Sequence, residues 1–234
     1  MLSNRRLDPT WCQGRCAPRD RRLYVAAGRR PSSLAASLRV PSFPWAPRGS
    51  SASRWAGRRH VLVRISKVLG SDWLRSDSVR VGGVPATAAA ADRYVTVADG
   101  EKLLLRVDVY SHGPDCFAFE DAIVWRNSVI VGFGSHVHAI SLPSRSVATV
   151  PLESYFGHLY PAADYLLIAS GTRLSRMEPD CSILWTSEEL AVDGVVVHDP
   201  GPPIVRGDGE WDPPGGWQPF SVLAANGRRF PATT

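Results

Sequence analysis

The 234-residue chain lacks most features that would assign it to a familiar class. It has no run of 18 consecutive apolar residues, so we expect no membrane-spanning helix and no membrane partner. Its four cysteines have neither the spacing of a disulfide framework nor that of a zinc site, which favours a reducing compartment and a cytoplasmic location. A nucleophile elbow, a P-loop, a Rossmann fingerprint and an H-E-x-x-H motif are all absent, so we predict no catalytic residue and no cofactor.

Lysine is missing from the first 60 residues, and acids are nearly so. This stretch has 13 arginines and two acids, Asp8 and Asp20, and carries a net charge of +11, whereas the rest of the chain carries −6. It is rich in Ser, Pro and Gly without helical or strand periodicity, so we expect residues 1–60 to form a disordered arm. Three interpretations stay open: a nucleic-acid tether with Trp45 or Trp55 stacking on bases, a solvated tail, and a start codon assigned too far upstream.

The remainder of the chain contains an internal repeat. Three segments align on a glycine that follows a β-branched run, at Gly100, Gly134 and Gly171, and a fourth places Gly209 another 38 residues on. Each segment predicts a β-hairpin that opens its unit, followed by two more short strands, which in the third unit are "CSILWTS" and "DGVVVHD". Four strands in 34–38 residues approach the size of one β-propeller blade.

Two stretches within this repeat contain a more specific motif. "LLIASGTRLSRMEPDCSILW" (Leu166–Trp185) resembles a blade of the quinoprotein-like and WD-repeat-like β-propellers, in which a strand, a glycine turn, an A-L-D-x-x-T-G segment and a tryptophan recur. "SVLAANGRRF" (Ser221–Phe230) follows the same order, with Asn226-Gly227 as its turn. The resemblance covers about residues 90–230 and implies the fold and a packed aromatic at Trp185. No residue matches those that bind pyrroloquinoline quinone, so it implies no cofactor.

We therefore predict an all-β domain at residues 75–234. It forms a small or partial β-propeller of about four short blades, with an open β-sandwich as the alternative. The fourth unit lacks an outer strand of its own. Arg59–Ser66, with Val61, Val63 and Ile65 on one face, is the best candidate to supply that strand and close the ring.

The fourth unit also carries an insertion, "EWDPPGGWQ", between its first two strands. Trp211 and Trp217 flank a reversal rich in proline and glycine. The rings either pair and staple the loop, or form a ligand platform on which Glu210 and Asp212 help to hold a sugar, a base or a cation. We expect Trp217 to be the more buried of the two.

Two histidines are weak candidates for a metal site. His136 and His138 alternate on a predicted strand and therefore share a face. His158 or His198 would be needed to complete the ligand set, and a partly exposed strand face is the commoner meaning of such a pair.

These observations favour binding over catalysis. We predict a non-catalytic interaction module whose partner is a protein or a small ligand. Two alternatives remain: an enzyme, either hydrolase or lyase, with its site on the propeller face, and nucleic-acid binding through the basic arm.

Overall fold

The computed structural model describes residues 61–87, 89–113, 119–212 and 215–230. Within these ranges all regular structure is β-strand, apart from one 3-10 turn at Ser71–Trp73. The expected disordered arm lies outside the described residues. The strands are β1 (Val61–Ser66), β2 (Ser78–Gly82), β3 (Arg93–Asp99), β4 (Lys102–Tyr110), β5 (Glu120–Trp125), β6 (Ser128–Phe133), β7 (His136–Ser141), β8 (Val147–Pro151), β9 (Phe156–Pro161), β10 (Leu166–Ser170), β11 (Leu174–Met177), β12 (Ile183–Thr186), β13 (Val195–Asp199), β14 (Ile204–Trp211) and β15 (Gly216–Leu223).

The strands form four small sheets. Sheet 1 has the order β1-β3-β4-β2, sheet 2 the order β5-β6-β7-β8, sheet 3 the order β9-β10-β11-β12, and sheet 4 the order β13-β14-β15. All pairs are antiparallel except β2 with β4. In sheet 4 a single β-bridge between Val222 and Arg229 adds one residue pair beyond the three strands. The chain is thus an all-β, partial propeller of four short blades, as its repeats predict.

Three hydrophobic clusters hold the sheets in a row. Val107 and Val131 belong to the cluster between sheets 1 and 2. Phe156 belongs to the one between sheets 2 and 3. Trp185 and Val205 belong to the one between sheets 3 and 4. Among the described residues no cluster joins sheet 4 to sheet 1, so the row is open rather than closed into a ring.

Three of the four predicted hairpins are confirmed. Gly100, Gly134 and Gly171 lie at the tips of β3–β4, β6–β7 and β10–β11. Gly100 and Gly134 each have a φ of 60°, a conformation that side chains with a Cβ rarely adopt.

The fourth alignment, on Gly209, is wrong. Gly209 lies inside β14 and pairs with Gln218 of β15, and the hairpin tip lies further along the chain, between β14 and β15. A Cβ at Gly209 would lie 2.0 Å from the carbonyl oxygen of Leu190. The residue is glycine because another backbone approaches it, which from sequence alone is indistinguishable from a turn requirement.

The phase of the repeat also differs from the prediction. Each hairpin occupies the middle of its sheet, and "DGVVVHD" supplies β13, the first strand of sheet 4, instead of closing sheet 3. A repeating pattern gives the period but not the point at which one sheet ends. The predicted Asn226-Gly227 turn is present: Gly227 has a φ of 70°, and its N–H donates to the Leu223 carbonyl at 2.8 Å.

The strand that begins at Val61 has another role than the one expected. Val61, Val63 and Ile65 do share a face and pack against the cluster between sheets 1 and 2. However, β1 pairs with β3 and is part of sheet 1, so it does not supply an outer strand to sheet 4.

Sheet 1 is inverted relative to its neighbour. Arg93, at the start of β3 and far from the Gly100 tip, forms an ion pair with Glu120 at the start of β5. At the other end of the sheets, Arg145 in the turn after β7 donates to the carbonyl oxygen of Leu104, next to the Gly100 tip. The hairpin tips of sheets 1 and 2 therefore lie at opposite ends of the row.

Candidate functional site

Sheets 2, 3 and 4 share one orientation, which brings their hairpin tips to the same end. The Phe156 N–H, at the start of β9, donates to the Gly134 carbonyl at 2.7 Å. The Leu190 N–H, just before sheet 4, donates to the Thr172 carbonyl at 2.9 Å. We call this end, with the tips of β6–β7, β10–β11 and β14–β15, the tip end. It contains the tryptophan loop singled out in the sequence.

The two tryptophans of that loop lie on opposite faces of their hairpin. Trp217 pairs across the strands with Glu210, whereas Trp211 pairs with Gly216. Because neighbouring residues of a strand alternate in direction, the two rings cannot stack on each other. The interpretation as an aromatic staple is therefore wrong. So is the expected burial: Trp217 is 52% exposed and Trp211 is half-buried.

Trp217 and Glu210 form one corner of a surface. A Cβ placed on Gly194 would lie 3.3 Å from Cη2 of the Trp217 ring and 3.5 Å from Oε2 of Glu210, so both side chains lie over this glycine. Its neighbour Asp193 is exposed and accepts a hydrogen bond from the Tyr155 hydroxyl at its backbone carbonyl, at 2.6 Å. The same hydroxyl lies 3.1 Å from Oδ1 of Asp193.

Further aromatic rings continue this surface towards sheet 2. The Phe119 ring is stacked on Tyr155 with centroids 6.2 Å apart and lies 5.0 Å from the His158 ring. Phe119 is 44% exposed. We call Phe119, Tyr155, His158 and Trp217 the aromatic row. Sequence reasoning assigned only Trp217 to a binding surface and considered His158 as a possible metal ligand, since nothing in the spacing of these residues indicates that the four rings meet.

A partly buried tyrosine packs next to the aromatic row. Tyr160 lies beside His158, with ring centroids 6.1 Å apart. Burial raises the pKa of Tyr160 above its ordinary value, with a smaller contribution from Asp121, while a backbone hydrogen bond to Val197 lowers it. The phenol is thus neutral and acts as packing beneath the exposed rings.

The remaining predicted residue of the loop, Asp212, lies at the turn. Its backbone carbonyl accepts a hydrogen bond from the Gly215 N–H at 2.7 Å, which closes the reversal. The residue also has a further interaction. Asp212 therefore shapes the loop that carries Trp217, and Glu210 is the acid beside the exposed ring.

The histidines gather at a different place, between sheets 1 and 2. His136 and His138 share a face of β7 as predicted, and His112 stacks on His136 with centroids 3.7 Å apart. Burial, followed by the neighbouring His136 and His112, lowers the pKa of His138 to about 4. Nδ1 of His138 lies 3.0 Å from the Thr149 hydroxyl, which it can pair with as a neutral ring.

This stack does not have the arrangement of a metal centre. The rings lie face to face, and no group of three His, Cys, Asp or Glu within the described residues is placed to hold a metal ion. The residues expected to complete a site are elsewhere: His158 belongs to the aromatic row, and Nε2 of His198 lies 2.7 Å from Asp208 in sheet 4. His112, which follows β4, carried no sequence signal.

Comparison with known proteins yields structural neighbours alone. No family model and no curated sequence matches the chain. Among solved structures, a Kluyveromyces lactis Hsv2 (KlHsv2) with loop 6CD replaced by a Gly-Ser linker is 10% identical with a TM-score of 0.39, covering 58% of this chain and 48% of that one.

Two further structures are similar in extent. Kluyveromyces lactis Hsv2 is 10% identical with a TM-score of 0.29, covering 58% of this chain and 56% of that one. Kluyveromyces marxianus Hsv2 is 8% identical with a TM-score of 0.29, covering 58% and 57%. The chain spans about half the length of the structures it matches. Its fold is assigned from its own four sheets.

Within the described residues, no helix has the length and apolar character needed to cross a membrane.

Proposed function

We propose that the protein is a non-catalytic binding module that recognises a cationic group, an ammonium or a guanidinium, at its tip end. The observation that supports this is the exposed Trp217 ring beside Glu210, continued by Asp193 and the aromatic row. The ring faces and the carboxylates are the two chemistries that favour a cation.

The strength of such a site can be bounded. A cation over an exposed aromatic face contributes about 0.5–1 kcal/mol, and more when water is excluded. The nearby carboxylates of Glu210 and Asp193 add an attraction that salt screens. We therefore expect weak to moderate affinity that falls as ionic strength rises. A lysine or arginine side chain of a partner protein fits this description, as does a small quaternary ammonium ligand.

The experiment is a titration of the full chain with N-acetyl-arginine amide and with tetramethylammonium, read by tryptophan fluorescence and NMR. Trp217→Ala and Glu210→Gln should each weaken binding about three- to tenfold, corresponding to the loss of a cation–π or ion contact. Phe119→Ala should weaken it less, because its ring lies further along the row.

Phe230→Ala is the matched control, since Phe230 is 39% exposed and Phe119 44%. It should leave binding unchanged. If neither cation perturbs Trp217, or if the neutral N-acetyl-norleucine amide binds as well as N-acetyl-arginine amide, the proposal is wrong.

The other predicted functions stay predictions. An enzyme would need histidines and carboxylates converging in one pocket, and no feature of the described residues favours that reading over binding. Nucleic-acid binding depends on residues 1–60, which lie outside the described residues. The quinoprotein-like resemblance is compatible with the binding module but adds no ligand to it.

A further inference from the structure

The outer face of sheet 1 carries an apolar row and is covered only in part, by the segment of the 3-10 turn, whose Trp73 carbonyl accepts a hydrogen bond from Arg106 at 3.1 Å. One face of this sheet packs on sheet 2, and no other sheet covers the opposite face within the described residues. On that face Leu62, Ala98 and Leu103 lie side by side, because Leu62 pairs with Ala98 and Ala98 with Leu103. Leu62 is 56% exposed and Leu103 is 39% exposed. Two large apolar side chains of one row thus face solvent together.

Opposite charges flank the apolar row at its two sides. Glu101 lies in the hairpin turn, just beyond the row, and Arg64 lies one step along β1 on the other side, paired with Thr96. Both side chains are exposed, and neither has an ion pair or hydrogen bond among the described residues. Nearby, Arg106 lies on the same face but donates to Asp108 at 2.8 Å, so its charge is paired. The exposed Asp72 of the 3-10 turn, like Arg64 and Glu101, has no ion pair among the described residues.

The row forms one wall of a hollow of about 370 Å³. Trp73, from the 3-10 turn, forms part of the opposite wall, and Leu62, Leu103 and Arg64 also line it. A depression of this size accepts one large side chain from a facing surface.

The sequence of acid, apolar row and base along the strands is self-complementary. A two-fold axis can lie in the plane of the face and run along the apolar row. Rotation about this axis places a second copy face to face with the first, with its strands running in the opposite direction. The rows then meet, and Arg64 of each copy comes to lie opposite Glu101 of the other. A two-fold contact requires one patch to supply both halves of every interaction, which is what this order provides.

We propose that this face binds a second copy of the same chain, forming a two-fold dimer through sheet 1. Leu62 and Leu103 lose their exposed area to the hollow of the other copy. The two Arg64–Glu101 pairs at the edges fix the register and disfavour unrelated apolar surfaces. This contact does not involve the tip end. The dimer and the cation site can therefore be tested independently of each other.

Sedimentation velocity of the full chain over a concentration series up to about 100 μM tests this. The protein should show a concentration-dependent dimer. Arg64→Glu and Glu101→Arg should each raise the dimer dissociation constant at least tenfold, because each places like charges across the axis. The double variant Arg64→Glu/Glu101→Arg restores complementarity and should return the constant to within about threefold of the original.

A pair of leucines provides the matched control. Leu62→Arg should abolish the dimer, whereas Leu184→Arg, at a residue of sheet 3 that is 54% exposed, should leave it intact. Circular dichroism confirms that both variants fold. A chain that stays monomeric at every concentration overturns the proposal, as does a dimer that neither single charge change weakens or a double variant no better than the singles. A monomer that captures another protein on this face overturns it too.

Discussion

The two ends of the row of sheets differ in how their free faces handle charge. On sheet 4, Nε2 of His198 lies 2.7 Å from Asp208, and Arg206 lies 3.3 Å from Asp199, so these charges are paired within the sheet. Such exposed pairs contribute little to stability, yet each group in them has a partner within the sheet. The free face of sheet 4 thus pairs its polar groups along β13 and the first half of β14, and Glu210 beside the exposed Trp217 continues it without an ion pair among the described residues.

On sheet 1 the corresponding face has Arg64 and Glu101 on either side of exposed leucines, and neither charge has a partner within the part of the chain that the structure describes. The same position in the architecture, an end sheet covered on one side, therefore carries two different surfaces. The difference indicates that exposure alone does not mark an interface. Exposure combined with charges that lack a partner among the described residues marks the Arg64–Glu101 face and, on sheet 4, the Trp217–Glu210 corner.

The ends also differ in what holds them. Trp185 fills the junction between sheets 3 and 4, with 9% of its surface exposed, and its Nε1 donates to the Ala224 carbonyl at 3.0 Å. The junction between sheets 1 and 2 carries the histidine stack instead. One end is held by a large apolar side chain that does not titrate, and the other includes groups that respond to pH.

The largest expected effect is at sheet 4. Trp185→Ala should lower the free energy of unfolding by about 3–5 kcal/mol, because it empties a core aromatic site and removes one of the two hydrogen bonds that the Ala224 carbonyl accepts, the other coming from Arg176. Urea melts followed by circular dichroism measure this. Trp217→Ala is the control and should cost less than about 1 kcal/mol, since that ring is half exposed. A loss below about 1 kcal/mol for Trp185→Ala would show that sheet 4 does not depend on this ring.

Acidification should destabilise the opposite end of the row, at sheets 1 and 2. Because the pKa of His138 is lowered to about 4, the folded protein holds the neutral ring, while the unfolded chain takes up a proton near the ordinary value of 6.5. The associated stability is fully present above pH 6.5 and is lost as the pH falls towards 4, by up to about 3 kcal/mol. Amide exchange should increase first in sheets 1 and 2, next to His112 and His136.

The variant His138→Gln isolates this effect. Its amide does not titrate and keeps a polar group towards Thr149, so its unfolding free energy should depend less steeply on pH between 6.5 and 4.5. Direct titration of the His138 ring by NMR gives the folded pKa. If the unfolding free energies of the original protein and of His138→Gln depend equally on pH, His138 does not make the end with sheets 1 and 2 more sensitive to acid.

Two glycines give a smaller contrast. Gly209→Ala, in sheet 4, should cost about 1–3 kcal/mol, because its Cβ would meet the Leu190 carbonyl at 2.0 Å and the backbone would have to shift. Gly100→Ala, in sheet 1, meets no atom within 4 Å and should cost about 1 kcal/mol from its positive φ alone. Thermal melts of both variants test the order, and a larger loss at Gly100 would contradict it.

These glycines also show what the sequence can and cannot predict. The hairpins at Gly100, Gly134 and Gly171 follow from local chemistry, a β-branched run before a residue that tolerates positive φ. Gly209 also follows a run with β-branched residues, but a side chain there is excluded by the nearby Leu190 carbonyl. That close approach depends on packing between distant segments of the chain. Trp185 was predictable because its unit resembles a known blade.

The candidate site was predictable only in part. Trp217 and Glu210 were singled out, but the register that separates Trp217 from Trp211 depends on where the hairpin turns, and a shift of one residue reverses both faces. Phe119, Tyr155 and His158 come together through the stacking of sheets 2 and 3, which no local pattern encodes. The inversion of sheet 1 depends likewise on long-range packing.

That inversion gives the array a direction. In sheets 2 to 4 the hairpin tips lie at the same end, so a further unit of that orientation would follow sheet 4 without a reversal of the chain. Sheet 1 has its tip at the opposite end, so a unit of the same orientation as sheets 2 to 4 could join its outer face only after a second reversal. Extension of the array by a repeated unit is therefore simpler at sheet 4 than at sheet 1.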